Sequence, residues 1–282
     1  MKNTKKTLKC TVKEKLLSEN WFSDEKEATT WVMMGKVLAD EQLIYSINEK
    51  IPVTSTIRVK NYYKKTYVNK GGLKLEHALK KFAVPVESKI ILDCGASTGG
   101  FTDCWLQNSA ALVYAVDAGY GQLAGKLAVN PNVRNMEKTN LSDKCLQELQ
   151  PKPDYISLDL SYLSLKKALP ICKDILKEKG LMICLVKPIY EVDSSEIRRD
   201  GNINQRDILK EILTDLCEFY LNNAVNILGV TNSPITGNSG TLEYFIGIYW
   251  NNDDLPNINS SYEMAIEEAL DASFSLNKFS KT

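Results

Sequence analysis

The stretch that most constrains the fold runs from residue 90 to residue 103 and reads IILDCGASTGGFTD. An apolar run stops at Asp93, a loop of small residues follows, and apolar residues then recur with helical spacing from Phe101 onward. This order predicts a strand, a tight glycine-rich turn and a helix, which is the opening unit of nucleotide-binding α/β folds. Because glycine lacks a Cβ, the backbone of such a loop can turn sharply and lie close to a ligand. The loop is therefore a candidate cofactor site.

Strand-like and helix-like segments alternate beyond this unit. Predicted strands cover residues 89–94, 112–117, 133–137, 154–159 and 180–186, and predicted helices lie near 99–109, 121–128, 142–149 and 163–178. After a long helix at 207–221, strands at 224–230 and 242–250 flank a loop rich in Gly, Asn, Ser and Pro, which suits an antiparallel pair at the sheet edge. The predicted fold class is α/β, with a Rossmann-like, mostly parallel sheet whose last strand is antiparallel and whose two faces carry helices.

The first 60 residues predict a separate, small α+β module. Helical spacing covers residues 11–19 and 24–34, and short strand candidates lie at 37–39, 42–45 and 56–59. A helix at 71–82 then precedes the first strand of the large sheet. We therefore expect a small domain over residues 1–60, a basic linker over 61–70, a large α/β domain over 71–250 and a C-terminal extension over 251–282 with one helix at 262–270.

The zero formal net charge hides an asymmetry along the chain. Residues 1–81 carry 17 Lys and Arg against 9 Asp and Glu, whereas the rest of the chain carries 18 against 26. The basic part is densest between Arg58 and Lys81, where eight basic residues accompany one acid and tyrosines are interleaved. Such a mixture suits nucleic acid, because the charges attract phosphates and the rings can stack on bases. A charge run alone is more often a solvated linker, so both interpretations stay open at this point.

Composition also bears on the cellular compartment. No apolar run approaches the roughly 18 residues that span a membrane, and the Lys-rich start lacks the apolar segment of a secretory signal. The seven cysteines are scattered without a Cys-x-x-Cys pair, and the chain has one histidine. These features disfavour a disulfide framework and a metal site. We therefore expect a cytoplasmic protein that needs neither a membrane nor a metal.

The candidate cofactor loop departs from two common nucleotide loops. A dinucleotide loop needs Gly-x-Gly-x-x-Gly, and those three places hold Gly95, Ser97 and Gly100 here, while the lysine of an ATP-binding Walker loop is absent. Asp93, directly before the loop, would repel an anionic ligand but would favour the ammonium and sulfonium of S-adenosylmethionine. Asp117 ends the next strand, 22 residues beyond Gly95, where a carboxylate normally holds a ribose diol. The alternative is that both acids are ordinary strand-end residues beside a tight loop.

Four charged residues are candidates for the chemistry. Asp159 and Lys187 directly follow two later strands, where open α/β sheets place their sites. Glu243 lies near the start of the last strand, and Lys74 lies on the helix before the first one. Methyl transfer from a sulfonium to a hydroxyl requires a group that removes the hydroxyl proton, and Lys187 could do so if burial and Lys74 disfavour its charged form. Spacing alone does not show that the four residues meet.

From residue 67 to residue 250 the chain resembles the TlyA (hemolysin A-like) family, a branch of the FtsJ-type ribose 2′-O-methyltransferases. The matching stretches are KGGLKLE at 70–76, DCGASTGGFTD at 93–103, AVDAGYGQL at 115–123, LDLSY at 158–162, LVKP at 185–188 and SPITG at 233–237. The resemblance implies S-adenosylmethionine-dependent methyl transfer to a ribose 2′-hydroxyl of RNA, because family members modify ribosomal RNA. Base N-methylation usually requires Asp/Asn-Pro-Pro-aromatic where this chain has LDLSY, which lacks both prolines.

The resemblance also implies roles for individual residues. The family's Lys-Asp-Lys-Glu catalytic tetrad falls on Lys74, Asp159, Lys187 and Glu243. Its cofactor site falls on the glycine-rich loop and the residues around it, namely Asp93, Gly95, Ala96, Ser97, Gly99, Gly100, Phe101, Asp117, Asp159 and, near the adenine, Asn140. Contacts to RNA are expected from Lys64, Lys65, Lys70, Arg198 and Arg199.

The resemblance is poorer before residue 60, where the family carries a small RNA-binding domain of a ribosomal-protein type. The usual Arg-rich helix start reads SDEK at 23–26 here, and the usual Asn-Gly turn reads ADEQ at 39–42. Acids on a phosphate-binding face weaken RNA affinity, and Asn69-Lys70 in place of the family's Ser-Arg loses a bidentate donor. The alternative function is therefore a non-catalytic RNA- or ribosome-binding relative. Some family members are described as haemolysins, but no apolar span or strongly amphipathic cationic helix supports a pore.

Overall fold

The computed structural model describes residues 8–19, 21–22, 24–60, 67–192, 203–237, 240–252 and 255–279. Contacts divide the chain into two units, one over residues 1–66 and one over residues 67–282. The division falls inside the basic stretch 61–70, and residues 251–282 belong to the second unit.

The first unit is a small α+β module. Its described elements are β1 (Lys9–Thr11), α1 (Val12–Ser18), α2 (Glu25–Met33), β2 (Val37–Ala39), β3 (Gln42–Leu43), β4 (Lys50–Pro52) and β5 (Ile57–Val59). An antiparallel β1–β4 pair lies beside an antiparallel sheet of order β3-β2-β5. Both helices pack apolar faces into one core, in which Leu16 and Ala28 are fully buried. Apolar spacing does not predict β1 and β4, since each is three residues long and is defined only by pairing with the other.

The acids at the start of α2 have a local structural role. The Asp24 carboxylate accepts the backbone N–H of Glu27 at 2.8 Å and so caps the helix. Glu25, in the first turn, pairs with Lys13 of α1 at 3.3 Å. Negative side chains at a helix N-terminus are favoured by the helix dipole. Asp24 and Glu25 therefore stabilise their own helix and present no positive charge to a phosphate backbone.

The second unit is built on a seven-stranded sheet. Its described elements are α3 (Gly71–Lys81), β6 (Ile90–Cys94), α4 (Gly100–Gln107), β7 (Leu112–Asp117), α5 (Gly125–Ala128), β8 (Val133–Glu137), a 3₁₀ turn (Lys144–Leu146), β9 (Tyr155–Leu158), α6 (Leu165–Ile175), β10 (Leu181–Val186), α7 (Pro188–Glu191), α8 (Arg206–Asn222), β11 (Asn226–Asn232), β12 (Tyr244–Tyr249) and α9 (Tyr262–Phe279). The strand order is β11-β12-β10-β9-β6-β7-β8, and the neighbours pair in parallel except where β12 takes part. The predicted fold class is confirmed, and each predicted strand of this sheet is present to within two residues at either end.

Three predicted helices differ from those observed. The helix expected at 121–128 begins only at Gly125, because the Glu137 carboxylate accepts the backbone N–H groups of residues 121–123. The helix expected at 142–149 is a single 3₁₀ turn over Lys144–Leu146, and the buried residues Leu146 and Leu149 are three positions apart rather than on a continuous α-helical face. The helix expected at 262–270 continues to residue 279.

Helices cover both faces of the sheet. Successive side chains of a strand point to opposite faces, and the central strands are buried on both. In β6, Leu92 and Cys94 join the core formed with α6, α8 and α9, whereas Ile91 joins the core formed with α3 and α4. Ile266 and Leu270 of α9 are fully buried in the first of these cores. The C-terminal helix is thus an integral layer of the α/β unit.

The strand order determines where a ligand can bind. The chain runs from β6 outward to β7 and β8, and then returns to β9 and β10 on the other side of β6. The loops after β6 and β9 therefore diverge, which opens a crevice at the carboxyl ends of the strands. At the floor of this crevice, the backbone N–H of Asp159 donates to the carbonyl of Cys94 at 2.9 Å.

The helices and the thiols agree in kind with a chain that has neither a membrane span nor a disulfide among its described residues. Among the described residues, no helix combines the length and apolar character that crossing a bilayer requires. All seven cysteines are free thiols, and five of them are buried.

Candidate active site

Two adjoining cavities open at the crevice between β6 and β9. The first, of about 310 Å³, lies between the end of β7 and the segment after β9, and the second, of about 500 Å³, lies between the start of α3 and the start of β12. Gly95, Ser97, Asp159 and Lys187 line both cavities. A ligand in the first cavity would therefore face a ligand in the second across the Asp159 and Lys187 side chains.

The four predicted catalytic residues all line the second cavity. Lys74 Nζ lies 2.5 Å from Glu243 Oε2, and Lys187 Nζ lies 2.5 Å from Asp159 Oδ1. The Lys74–Glu243 pair is the more buried, with side chains 13% and 7% exposed, against 18% and 26% for Lys187 and Asp159. Pairing compensates each charge that burial would otherwise penalise, so two lysines can share one enclosed site.

Strand direction explains why these four residues meet. Asp159 and Lys187 directly follow β9 and β10, which are parallel neighbours. Glu243 precedes β12, and because β12 is antiparallel to β10, its first residue, Tyr244, lies opposite the last residue of β10. Lys74 lies in the first turn of α3, whose apolar face packs in the core shared with α4. One acid at a strand start and one at a strand end therefore reach the same edge of the sheet.

The loop after β6 adopts a backbone conformation that requires glycine. Gly95 has φ +85°, and a Cβ at this position would lie 2.3 Å from the carbonyl oxygen of Asp159. Gly99 has φ +97° and directly precedes α4. Ser97 also has a positive φ of 48°, and its backbone N–H donates to Asp117 Oδ2 at 2.8 Å. The loop is therefore a cradle in which the bare backbone of Gly95, rather than a side chain, borders both cavities.

Asp93 lies beneath this loop and does not line either cavity. Its side chain is completely buried, and its carboxylate accepts the hydroxyls of Thr102 and Ser157, each at 2.7 Å. Burial raises the pKa of Asp93 to about 6 in spite of these two hydrogen bonds, which lower it. Asp93 would thus act on a bound cation through its charge and by holding the loop, and not by direct contact.

The raised pKa of Asp93 predicts a pH-dependent stability. Between pH 3.8 and about 6 the folded protein binds this proton more tightly than the unfolded chain does, so the stabilisation is present at low pH and is lost as the pH rises through 6. We expect the unfolding free energy of the wild type, relative to that of Asp93→Asn, to fall by about 2 kcal/mol from pH 4 to pH 7. Urea unfolding of both proteins at four pH values measures this difference. A difference that is the same at every pH would contradict the expectation, since lost hydrogen bonds alone give a constant offset.

The other predicted cofactor residues are distributed over the two cavities. Asp117 lines the first cavity, and its Oδ1 accepts the backbone N–H of Gly119 at 2.7 Å. Each carboxylate oxygen of Asp117 has a second lone pair that a ligand hydroxyl could use. Thr139 and Leu141 line the first cavity, whereas Asn140, which lies between them, does not. The residues of the glycine loop that line the second cavity are Gly95, Ala96, Ser97, Gly100 and Phe101.

One of the five residues expected to contact RNA lies at the site. Lys70 is exposed at the rim of the second cavity, and its carbonyl accepts the backbone N–H of Lys74 at 3.3 Å. The other four are Lys64, Lys65, Arg198 and Arg199, which lie outside the described residues.

Asn69 is a site residue to which the sequence patterns assign no role in the site. Its Oδ1 accepts the backbone N–H of Gly71 at 2.6 Å, and its Nδ2 donates to Thr98 Oγ1 at 2.5 Å. A Cβ on Gly100 would lie 1.9 Å from Asn69 Oδ1, so Gly100 packs directly on this side chain. The first hydrogen bond is the local Asx type that sequence can suggest. The second joins the helix that carries Lys74 to the candidate cofactor loop, and it depends on tertiary structure.

Removing the Asn69 side chain should loosen the loop and the helix start together. We expect Asn69→Ala to weaken S-adenosylmethionine binding about three- to tenfold, because each lost hydrogen bond is worth about 1 kcal/mol. Asn69→Ser keeps an acceptor for the N–H of Gly71 but is too short to reach Thr98, so its affinity should be intermediate. Isothermal titration calorimetry with the three proteins tests this order. Equal affinities would show that the loop keeps its conformation without Asn69.

Two further side chains organise the site without a local sequence signal. Ser161 Oγ accepts a hydrogen bond from Lys187 Nζ at 2.8 Å. The Glu137 carboxylate accepts the backbone N–H groups of residues 121–123. These hydrogen bonds, of which that from Gly121 has the largest effect, lower the pKa of the Glu137 carboxyl. Both contacts join segments that are distant in sequence, so a search for motifs passes over them.

The residues present fit a cationic, adenosine-containing cofactor. A Cβ on Gly95 would fill the cradle, so the loop leaves room for a ligand. Acids at positions 93, 117 and 159 lie beneath and beside the cradle, which suits a cation. Val116 and Leu141 form an apolar wall of the first cavity, which suits an adenine ring. Within the described ranges, no group of three or more His, Cys, Asp or Glu side chains is placed to hold a metal ion. The strand order, its switch point and this cradle fit an S-adenosylmethionine-dependent methyltransferase, and the match to a family of such enzymes shows that the chain is of this class.

Within this class, the chain belongs to the FtsJ-like methyltransferase family, whose sequence pattern matches residues 67–249. Hemolysin A of Brachyspira hyodysenteriae is 35% identical over 229 residues, which cover 80% of this chain and 94% of the relative. The 16S/23S rRNA (cytidine-2′-O)-methyltransferase TlyA of Mycobacterium tuberculosis is 30% identical over 235 residues, which cover 83% of this chain and 88% of the relative. Among solved structures, a candidate hemolysin of Streptococcus thermophilus matches with a TM-score of 0.69 and 32% identity, over 97% of this chain and 99% of that chain. The resemblance to the TlyA (hemolysin A-like) family is confirmed.

Proposed function

We propose that this protein transfers the methyl group of S-adenosylmethionine to a ribose 2′-hydroxyl of ribosomal RNA in the cytoplasm. The observation that carries the proposal is the pair of lysine–carboxylate contacts, Lys74–Glu243 and Lys187–Asp159, on the wall of one cavity beside the cofactor cradle. The relative named TlyA, which acts on cytidine 2′-O positions of 16S and 23S rRNA, supports the same substrate class for this chain.

The cofactor would be held by the glycine cradle and by Asp117 in the first cavity. When bound, it supplies a methyl group on a sulfonium, and the electrons of the broken C–S bond stay on the sulfur. The two cavities adjoin at the residues that line both of them. A ribose hydroxyl in the second cavity could therefore approach that methyl group. Holding both reactants in line removes much of the entropic barrier to the displacement.

Lys187 would receive the proton of the 2′-hydroxyl. A lysine accepts a proton only as the neutral amine, and the Asp159 carboxylate at 2.5 Å stabilises the ammonium that results. Lys74, fixed by Glu243 on the other side of the second cavity, can donate a hydrogen bond to the ribose and so orient the oxygen. The nucleophile is thus positioned by one lysine and deprotonated by the other.

Mapping of 2′-O-methylated nucleotides tests the proposal in cells. In rRNA from cells that lack the gene, we expect one or a few 2′-O-methyl positions to disappear and to return when the wild-type gene, but not Lys187→Ala, is restored. Identical maps with and without the gene would contradict rRNA ribose methylation. If loss of the gene changed ribosome assembly while the map of 2′-O-methyl positions stayed the same, the protein would instead be a non-catalytic, ribosome-binding relative.

A further inference from the structure

Ser161 is the second hydrogen-bond partner of Lys187, beside Asp159. We propose that Ser161 is a positioning residue that fixes the direction of the Lys187 lone pair toward the substrate. The inference deepens the proposed function and rests on it, because it concerns the group that would remove the ribose proton. It assigns a role to a residue that neither the tetrad nor the cofactor loop includes.

The number of N–H bonds on a lysine amine depends on its protonation state. A neutral amine nitrogen has two N–H bonds and one lone pair, whereas an ammonium has three N–H bonds and none. Lys187 Nζ lies 2.5 Å from Asp159 Oδ1 and 2.8 Å from Ser161 Oγ. If both N–H bonds of the neutral amine point to these two oxygens, the lone pair has one remaining tetrahedral direction. With Asp159 alone, only one N–H bond would be fixed, and the lone pair could take either of the two remaining tetrahedral directions.

The positions of the two oxygens relative to the cavities give that direction. Ser161 lines the first cavity only, Lys74 and Glu243 line the second cavity only, and Lys187 lies on the wall between them. Ser161 therefore holds Lys187 from the cofactor side. The direction left for the lone pair is toward the second cavity, where the ribose hydroxyl would lie. The proton passes from the 2′-oxygen to Nζ as the O–CH₃ bond forms, and the ammonium product keeps both acceptors.

The local backbone explains how Ser161 reaches this position. Asp159 and Ser161 are separated by Leu160, which is 5% exposed and packs into the core formed with α6. All three residues line the first cavity, and burial of the Leu160 side chain fixes the backbone segment that carries Asp159 and Ser161. The buried Leu160 side chain thus helps to fix the positions of both hydrogen-bond acceptors of Lys187, the Asp159 carboxylate and the Ser161 hydroxyl.

Substitution at position 161 separates positioning from cofactor binding. With saturating RNA and S-adenosylmethionine, we expect the single-turnover rate of Ser161→Ala to fall about five- to tenfold, the equivalent of one hydrogen bond. Calorimetric affinity for S-adenosylmethionine should stay within twofold of the wild type. Ser161→Thr keeps the hydroxyl at an exposed position and should restore the rate to within twofold. Ser275→Ala, which removes another exposed serine hydroxyl on α9, should behave as the wild type.

A second readout needs neither cofactor nor RNA. Trace acylation with acetic anhydride, followed by peptide mass spectrometry, reports how reactive the Lys187 amine is in the free protein. We expect Lys187 to be labelled at least twofold more in Ser161→Ala than in the wild type or Ser161→Thr. Labelling of Lys177, which pairs with Asp154 at 2.7 Å, should be equal in all three proteins.

The outcomes separate the two proposals. A wild-type rate in Ser161→Ala, or a threonine variant as slow as the alanine variant, would overturn the role of Ser161 while leaving ribose methylation intact. A rate loss matched by an equal loss of cofactor affinity would make Ser161 part of the cofactor wall instead. Unchanged labelling of Lys187 in Ser161→Ala would show that the hydrogen bond between Lys187 and Ser161 does not form in solution, and it would overturn the proposal. A wild-type protein that methylates no ribose would overturn the proposed function directly.

Discussion

Lys187→Ala is expected to slow methyl transfer to RNA at least a hundredfold, because general base catalysis by a positioned side chain contributes about 10²- to 10⁴-fold. The loss should appear in the single-turnover rate and not in the affinity for S-adenosylmethionine. The methyl donor would lie mainly against the cradle and Asp117, whereas Lys187 is held by Asp159 and Ser161. Rapid-quench measurement of labelled methyl transfer gives the rate, and calorimetry gives the affinity.

The matched control for this substitution is Lys177→Ala. Lys177 also forms an ion pair with an aspartate, Asp154, at 2.7 Å, but it lies in the turn before β10 rather than after the strand. An exposed ion pair of this kind is worth about 0–1 kcal/mol, so the control should keep the wild-type rate. If Lys187→Ala methylated RNA as fast as Lys177→Ala, Lys187 could not be the base.

Gly95→Ala is expected to weaken S-adenosylmethionine binding more than tenfold and to destabilise the fold by about 2–4 kcal/mol. Two effects add at this position. The φ of +85° costs any L-residue energy, and a Cβ would lie 2.3 Å from the carbonyl oxygen of Asp159, which is backbone and cannot rotate away. The loop must therefore shift, and with it Asp159, which lies against both cavities. Thermal unfolding and calorimetry measure the two effects.

Two other glycines serve as controls for Gly95. Gly121 has φ +66° but no neighbour within 4 Å of its ideal Cβ, so Gly121→Ala reports the backbone strain without a collision. Gly125 has open space around its Cβ position and begins α5, so Gly125→Ala should be neutral or slightly stabilising. We expect the loss of cofactor affinity to follow the order Gly95, Gly121, Gly125. Equal losses at Gly95 and Gly121 would show that the contact with Asp159 is unimportant.

The sequence predicts the sheet well because its central strands are buried on both faces and are short, apolar and bounded by loops. The order of alternation then places Asp159 and Lys187 at strand ends, and the antiparallel last strand places Glu243 beside them. That these residues meet with Lys74 is visible only in three dimensions. The three-residue strands β1 and β4 are unpredictable for the same reason, since each is defined by its partner.

Details of the site depend on contacts that a linear pattern does not contain. Asp93 is recognisable as a strand-end acid, but its complete burial below the loop follows from packing against Thr102 and Ser157. In the sequence, Asn69 is only the residue that replaces the family's serine before Lys70. In three dimensions its side chain joins the start of α3 to Thr98. In the sequence, Ser161 is only a position where the base N-methyltransferase motif would have a proline. In three dimensions its hydroxyl contacts Lys187. In each case the residue type is visible in the sequence and its partner is not.

The central claim is that methyl transfer takes place at a ribose 2′-oxygen, and alkaline hydrolysis of labelled RNA tests it directly. Purified protein is incubated with rRNA or ribosomal subunits from cells lacking the gene and with methyl-labelled S-adenosylmethionine, and the RNA is then hydrolysed in alkali. A 2′-O-methyl group blocks attack on the adjacent phosphodiester, so we predict that the label remains in alkali-resistant dinucleotides. Label recovered in mononucleotides would mean base methylation and would contradict the account.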